Sequence, residues 1–502
     1  MKDRIRNDRG DLKVILTMLG FACILGQVAP VVAKPNIVLV MADDVSPDLF
    51  SCYAPYTPHS TKKAAKTPNI DRLANQGVAF KTAYASAMCG PSRAMIMTGK
   101  YGSTTGALQN GLWLNGSRNT IYKDNLAFGK MLSDAGYATA IAGKWHAGSQ
   151  MPYEAEVGFQ EYCLWEGTKE VLAVTGQELK KSDCAWEDEK TPSRYWKPCL
   201  IRNGELVKVN DDDFGPDLCC DFICDFMERQ TKAGKPFIAY WPTVSPHGSR
   251  TGTPTNPLCG EPGILGGKSN DGYDRFKSLN EHLDSTIGRI QQKIKELGIE
   301  DNTIIVFCSD NGTAVTAKSR GVERGCHVVF MAAGAGIISR GLTEELMDFP
   351  DIAPTLADYA GVKPSQKIPF DGISLKPFLS GKTNQTKPLI QGFISTSQLV
   401  RSKDHLLEVF NPMLGLPEGR FYYTGSNRFW TGYKRVDHDP EHAKVKSRFM
   451  RFLSKYPPVL ADNPHWQTRS GKKFYESYTS DKEKQKHLHN HRDYMFNNEE
   501  IE

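Results

Sequence analysis

The strongest constraint on the fold is a set of five short, nearly unbroken apolar runs: Asn36–Ala42, Ala138–Ala142, Phe237–Pro242, Thr303–Ser309 and Val328–Ala333. Runs of this length without strict polar alternation read as strands covered on both faces, the situation of parallel sheets. Helical patterns fall between them. Thr67-Pro68 offers a cap and a first-turn proline ahead of Asn69–Gln76, and Gly77 is suited to end that helix. A second helix is expected over Asp124–Ala135, closed by Gly136. Over Tyr273–Leu297, Phe276, Leu279, Leu283, Ile287, Ile290, Ile294 and Leu297 recur three or four apart, one apolar stripe before Gly298. This alternation predicts an α/β fold, a large mixed, mostly parallel sheet sandwiched by helices. After about Thr386 the runs shorten, as in Leu389–Ile394 and His405–Phe410. They predict a smaller C-terminal antiparallel-sheet subdomain with a helix packed against the main domain. The charged end, Asp481–Glu502, reads as solvated tail.

At the N-terminus, Lys2, Arg4, Arg6, Arg9 and Lys13 precede an apolar run from Val14 to Gly26, with small residues placed for a peptidase near Val31-Val32-Ala33. That run falls short of the ~20 residues needed to span a bilayer. The expected organisation is a signal peptide over 1–33, a main catalytic domain over 34–386 and the C-terminal subdomain over 387–502, in a protein exported to a periplasmic or extracellular space and free of the membrane after cleavage. A formal net charge of +5 from 62 basic and 57 acidic residues is too small and dispersed for a nucleic-acid footprint. Of twelve cysteines, Cys23 leaves with the signal and Cys89 is set apart below, which leaves ten. An even number in an exported chain suits disulfides, with connectivity open. Cys219-Cys220-x-x-x-Cys224 lacks the paired C-x-x-C spacing of a structural zinc site.

Chemistry follows each strand. Asp43-Asp44 come after the first, Lys144 and His146 after the second, His247 after the third, Asp310-Asn311 after the fourth. Ligands of open α/β sheets bind at the carboxyl ends of strands, so distant parts of the chain deliver these groups to one edge. Any one pair alone is common turn chemistry. Together, Asp43, Asp44, Asp310 and Asn311 offer only hard oxygen ligands, as calcium or magnesium prefers. Convergence of several protein oxygens favours Ca2+, because Mg2+ keeps more of its waters.

The segment Met88-Cys89-Gly90-Pro91-Ser92-Arg93-Ala94-Met95, with Thr98-Gly99-Lys100-Tyr101 close behind, resembles the sulfatase family's C-x-P-S-R element and its following T-G-R/K. Pro91 is placed for a first helical turn, which puts residue 89 at a helix N-terminus, where the backbone dipole favours developing negative charge. The resemblance continues through Lys34–Asp44, Thr67–Ala74, Gly143-Lys144-Trp145-His146, Lys235–His247, Ser309-Asp310-Asn311-Gly312, Lys318 with Glu323, Asp348–Gly361 and Asp371–Leu375, in the family's order. It implies that Cys89 is converted to formylglycine by a formylglycine-generating enzyme before folding. It also implies that residue 89 joins Asp43, Asp44, Asp310 and Asn311 around one Ca2+, and that the chain hydrolyses sulfate esters. One hydroxyl of the hydrated aldehyde would attack sulfur and expel the alcohol. The second would lose its proton as sulfate is eliminated, splitting a difficult hydrolysis into two steps.

The resemblance further implies that His146 takes that second proton, while Arg93 and Lys144 hold residue 89 and neutralise oxygen charge. His247 and Lys318 would contact the sulfate and its bridging oxygen, and either could protonate the departing alcohol. The chain departs from the pattern at Glu323-Arg324-Gly325-Cys326-His327-Val328, where a family glycine is Arg324 and a family arginine is His327. These changes either reshape the substrate side of the pocket or leave Arg324 as a solvated surface charge. Between Gly148 and Gly234 the resemblance thins. Substrate selection is expected there, with Trp165, Trp186, Tyr195 and Trp196 either stacking on sugar rings or forming small local cores pinned by disulfides. Pro254–Lys268, rich in glycine and proline, reads as a loop bordering the pocket.

A sulfated polysaccharide or oligosaccharide is the expected substrate, by family analogy and the aromatic insertion. Two rival functions are a phosphodiesterase or phosphonate monoester hydrolase using the same metal and formylglycine, and a sulfated-glycan-binding protein whose Cys89 is never converted. Assays of aryl sulfate against aryl phosphate esters separate the first, and absence of turnover marks the second.

Overall fold

The computed structural model describes residues 34–57, 64–248, 251–254, 272–313, 317–363, 366–429 and 432–482. The segment 1–33, most of Pro254–Lys268, Cys259 and most of the charged end lie outside them.

Five parallel strands form the centre of an eleven-stranded sheet: Thr303–Ser309, Asn36–Ala42, Phe237–Pro242, Ala138–Gly143 and Glu161–Trp165, in that spatial order. The reason is visible in Asn36–Ala42, where every residue is buried. Ile37, Leu39 and Met41 enter one core while Val38, Val40 and Ala42 enter the other, so both faces must be apolar. The helices Pro68–Gln76, Gly215–Lys232 and Gly272–Glu296 cover one face. Cys89–Thr98, Phe128–Asp134 and Ile352–Tyr359 cover the other. Antiparallel strands widen the sheet at both margins.

Four of the five expected strands fall where the apolar runs lie. The fifth is corrected in two ways. It runs antiparallel to Thr303–Ser309, and it is interrupted at Val329 into His327–Val328 and Phe330–Gly334, both antiparallel to Val78–Tyr84 while only the second also pairs with Thr303–Ser309. The first piece pairs with Val78–Tyr84, a strand the sequence hid behind Lys81 and Thr82. The helix expected over Asp124–Ala135 is shorter, Phe128–Asp134, and is preceded by a helix that was not expected, Ser117–Asp124. Asn125 separates the two, its side-chain amide donating to the Ile121 carbonyl at 2.9 Å and so capping the first. Gly77 ends Pro68–Gln76 as expected, for a packing reason: a Cβ there would sit 2.0 Å from the Ala332 carbonyl oxygen. The long helix spans Gly272–Glu296 with its expected stripe buried from Phe276 to Ile294. No helix among the described residues is long and apolar enough to cross a membrane.

The C-terminal part forms a five-stranded antiparallel sheet, Ile390–Ile394, Ser397–Arg401, His405–Phe410, Arg420–Tyr423 and Lys434–Arg435. Helix Ala443–Leu453 buries Phe449 and Leu453 against it. The expected antiparallel sheet and helix are both present.

Helix Cys89–Thr98 is buried along its whole length and ends at Gly99, whose φ of 66° lies in the left-handed region. A Cβ at Gly99 would also meet Phe370 Cδ1 at 2.5 Å. Gly99→Ala is therefore expected to cost on the order of 2 kcal/mol, from the strained conformation and overpacking together. Urea denaturation measures it, and a midpoint equal to the wild type's would contradict this account.

Candidate active site

The sheet register brings the strand-end residues together. Ala42 pairs with Ser309, so Asp43-Asp44 and Asp310-Asn311 leave adjacent parallel strands side by side. The Asp310 N–H donates to the Ala42 carbonyl at 3.0 Å, and the Asp44 N–H to Asp310 Oδ1 at 3.0 Å. Pro242 holds the Lys144 N–H at 2.7 Å, and the Asp43 N–H donates to the Ser245 carbonyl at 2.9 Å, which brings the second and third strand ends to the first. Asp44 and His146 adopt positive φ, 64° and 51°. Such backbone persists only where surrounding structure holds it, and it clusters at functional sites.

Cys89 opens its helix beneath this edge, with Met88 as the extended N-cap. Its Sγ lies 3.3 Å from His146 Nδ1 and 3.4 Å from Asn110 Nδ2. This sulfur marks where the oxygens of a formylglycine would stand. Ligand atoms of Asp43, Cys89 and Asp310 all lie within 4.8 Å of one another, as do those of Asp43, Asp44 and His247.

The charges interlock. Lys144 Nζ is 2.6 Å from Asp43 Oδ2, and Lys318 Nζ is 2.7 Å from Asp44 Oδ1. Burial pushes the Asp43 carboxyl up, but Lys144, His247, Arg93 and Lys318 together hold it well below the usual carboxylate range. Asp44 and Asp310 are pushed up, by burial and then by the Asp43 charge. His146 is lowered to about 3 by burial and then by Lys144 and Arg93, so its imidazole is neutral and can accept a proton. Arg93 is fully buried, donating from Nε and Nη2 to Asp310 Oδ2 at 3.2 and 2.9 Å and from Nη1 to the Lys144 carbonyl at 2.8 Å. It braces the carboxylates behind residue 89 and leaves the pocket side to Lys144.

Among the described residues, the buried Asp43 Oδ1 and Asn311 Oδ1 at this edge have no hydrogen-bond partner. The Asn311 amide nitrogen is committed to Asp44 Oδ1 at 2.7 Å, which orients its carbonyl oxygen away. Orphaned oxygens beside mutually repelling carboxylates fit a hard divalent cation, which satisfies both at once.

An open pocket of about 480 Å³ leads to residue 89, lined on the catalytic side by Lys144, His146, His247 and Lys318. Lining residues missed from sequence include Asn110, Glu166, Glu170 and Arg194. Asn110-Gly111 is a hairpin signal, and a hairpin is there, Ala107–Gln109 with Leu112–Trp113. Nothing in the sequence reveals that its side chain also accepts from the Gly90 N–H at 3.0 Å. Glu166 is raised to about 8 by burial and then by Glu170.

The aromatic insertion divides. Trp165 lines the pocket, yet Arg194 covers its ring at 4.4 Å. Tyr195 and Trp196 are buried with Phe214, Val244 and Leu279, a local core rather than a sugar platform. Lys181 sits over Trp186 at 3.5 Å. The altered segment is also corrected. Arg324 is neither solvated nor in the pocket lining, but buried with Nη2 3.2 Å from Asp48 Oδ2. His327 is buried, stacked on Phe429, with Nε2 2.7 Å from the Lys81 carbonyl oxygen.

Against known proteins, a profile of the sulfatase family matches residues 35–362. N-acetylgalactosamine-6-sulfatase of Canis lupus familiaris is 26% identical over 388 residues, covering 71% of this chain and 68% of that protein. N-acetylglucosamine-6-O-sulfatase of Bacteroides thetaiotaomicron is 27% identical over 423 residues, covering 70% and 72%. The crystal structure of Ps i-CgsB shares the fold, with a TM-score of 0.66 at 22% identity over 90% of this chain and 99% of that one. With the profile spanning well over half of the 502 residues, the chain belongs to the sulfatase family and is a sulfuric ester hydrolase.

Proposed function

We propose that the protein removes sulfate from a sulfated carbohydrate, with residue 89 acting as a formylglycine and Asp43, Asp44, Asp310, Asn311 and residue 89 holding a Ca2+. The observation that carries this reading is the placement of Cys89 at a helix N-terminus, 3.3 Å from a neutral His146 and beside the orphaned oxygens of Asp43 and Asn311. The ion would supply charge to bind sulfate and to acidify the attacking hydroxyl. In this reading Lys144 and Lys318 offer cationic donors to sulfate oxygens, Arg93 keeps the carboxylates in place, and His146 accepts the proton from residue 89. His247 donates toward the sulfate. A saccharide is supported by relatives named for sulfated N-acetylhexosamines and by the polar lining of Glu166, Glu170 and Asn110.

Burial of the whole helix Cys89–Thr98 favours modification by a formylglycine-generating enzyme before folding, since the folded thiol is 1% exposed. The test is a panel of 6-O-sulfated N-acetylhexosamine saccharides, an aryl sulfate and an aryl phosphate, with released anion quantified. Sulfate from the saccharides is expected. Release of phosphate alone would move the chemistry to phosphorus esters, and release from the aryl sulfate alone would remove the carbohydrate.

Export remains part of this reading and bears on the cysteines. The ten described cysteines are thiols in this structure. Cys163 neighbours Cys219, Cys184 neighbours Cys199, and Cys220 neighbours Cys224. Cys308 and Cys326 are buried singly, as small apolar residues. In an oxidising compartment the first two pairs are expected to join. The third shares one helix at i and i+4, where Cβ atoms stand ~5–6 Å apart, beyond the ~3.5–4.5 Å a disulfide needs. Non-reducing peptide mapping of exported protein checks this, and alkylatable Cys163 and Cys184 would refute it.

A further inference from the structure

The side chain of His247 is held from behind by a residue of the insertion. Arg194 Nη1 lies 2.7 Å from His247 Nδ1. The guanidinium is itself fixed on three sides. Its Nε and Nη2 donate to Glu187 Oε1 and Oε2 at 2.6 and 2.7 Å, and its Cζ lies over the Trp165 ring, 4.4 Å from the centroid. The Arg194 backbone N–H also reaches Glu187 Oε1 at 3.1 Å. The next residue acts on the same loop, since the Tyr195 hydroxyl donates to the His247 carbonyl at 2.8 Å. A bidentate, stacked arginine has little rotational freedom left, so the direction of its remaining N–H is set.

Arginine has donors and no acceptor. The His247 Nδ1 facing it must therefore present a lone pair, which leaves the ring proton on Nε2. That nitrogen points into the pocket, 3.4 Å from Asp44 Oδ2. We propose that Arg194, braced by Glu187 and Trp165, is a positioning residue that presents His247 to the substrate in one orientation and one tautomer, with the Nε2–H toward the sulfate. This rests on the sulfatase reading for its catalytic consequence, while the ring geometry stands apart from it. The insertion thus contributes to the chemistry through His247 as well as lining the leaving-group side of the pocket.

The experiment compares wild type with Arg194→Met, Arg194→Lys and Glu187→Gln, all matured at residue 89. Histidine ring nitrogens are assigned by long-range 15N–1H correlation, and kcat and KM are measured separately on an aryl sulfate. In the wild type, His247 is expected to show a bare Nδ1 and a protonated Nε2. Arg194→Met is expected to lose that signature and to lower kcat by roughly 10- to 100-fold, the size of loss seen when a group that orients a metal-ligating histidine is removed, with KM little changed. Arg194→Lys should restore part of both, and Glu187→Gln should shift both in the same direction by less. A protonated Nδ1 in the wild type overturns the proposal. So does an Arg194→Met enzyme that keeps the ring signature, or one that raises KM at unchanged kcat, which would make Arg194 a substrate contact. Should the wild type release no sulfate, the sulfatase reading fails by itself and the ring spectrum still decides the placement of His247.

Discussion

Cys89→Ala will lower sulfate release by about 10⁴- to 10⁶-fold, the range seen when a nucleophile that forms the covalent intermediate is removed. What remains afterwards comes from groups that bind and polarise the ester. The loss should be chemical rather than structural, because the side chain removed is small and the helix it opens is held by Pro91, Ala94, Met95 and Ile96 in the core. A melting temperature close to the wild type's is therefore part of the expected result. Peptide mass spectrometry across residue 89, on protein expressed with a formylglycine-generating enzyme, should find the aldehyde in the active preparation. Full activity from a preparation carrying only the thiol would sink the proposed mechanism.

The second large effect is metal withdrawal. Treatment with a calcium-selective chelator is expected to remove turnover and to lower the melting temperature, with both restored by Ca2+ and less completely by Mg2+. An ion present at a hundred times its dissociation constant stabilises by about 2.7 kcal/mol. The site explains why the effect exceeds that of a surface ion. Without the cation, Asp43 Oδ1 and Asn311 Oδ1 are buried and unpaired, and Asp44 and Asp310 are driven upward by burial and by Asp43. Carboxylates must lose their protons to bind the metal. With Asp44 and Asp310 raised, Ca2+ affinity should climb with pH and level off once both are ionised. Calorimetric titration at several pH values measures this, and affinity independent of pH with unchanged melting would remove the calcium from the reading.

Most of the central sheet was legible because burial on both faces leaves few alternatives to a continuous apolar run, and Asn36–Ala42, Phe237–Pro242 and Thr303–Ser309 lie at their expected bounds. The antiparallel return at Phe330–Gly334 was not legible, since an apolar run carries no direction. The helix start at Phe128 was placed too early, at Asp124, because an amide such as Asn125 that caps the preceding helix and one on an exposed helix face look alike in a sequence.

The meeting of the strand ends and the helix start at Cys89 were legible in the amino-acid sequence, because residue types locked to local motifs carry them: the C-x-P-S-R segment, and Asp-Asp and Asp-Asn directly after buried strands. The proposed nucleophile and oxygen ligands stand at those positions. How those residues are braced and aimed depends on contacts between distant segments. Arg93 turned out to serve the carboxylates, Arg194 to hold His247, and Tyr195 and Trp196 to fill a core. A side chain's type fixes what it can donate or accept, whereas its partner depends on which distant backbone folds against it, here across 217 residues for Arg93 and Asp310 and 53 for Arg194 and His247.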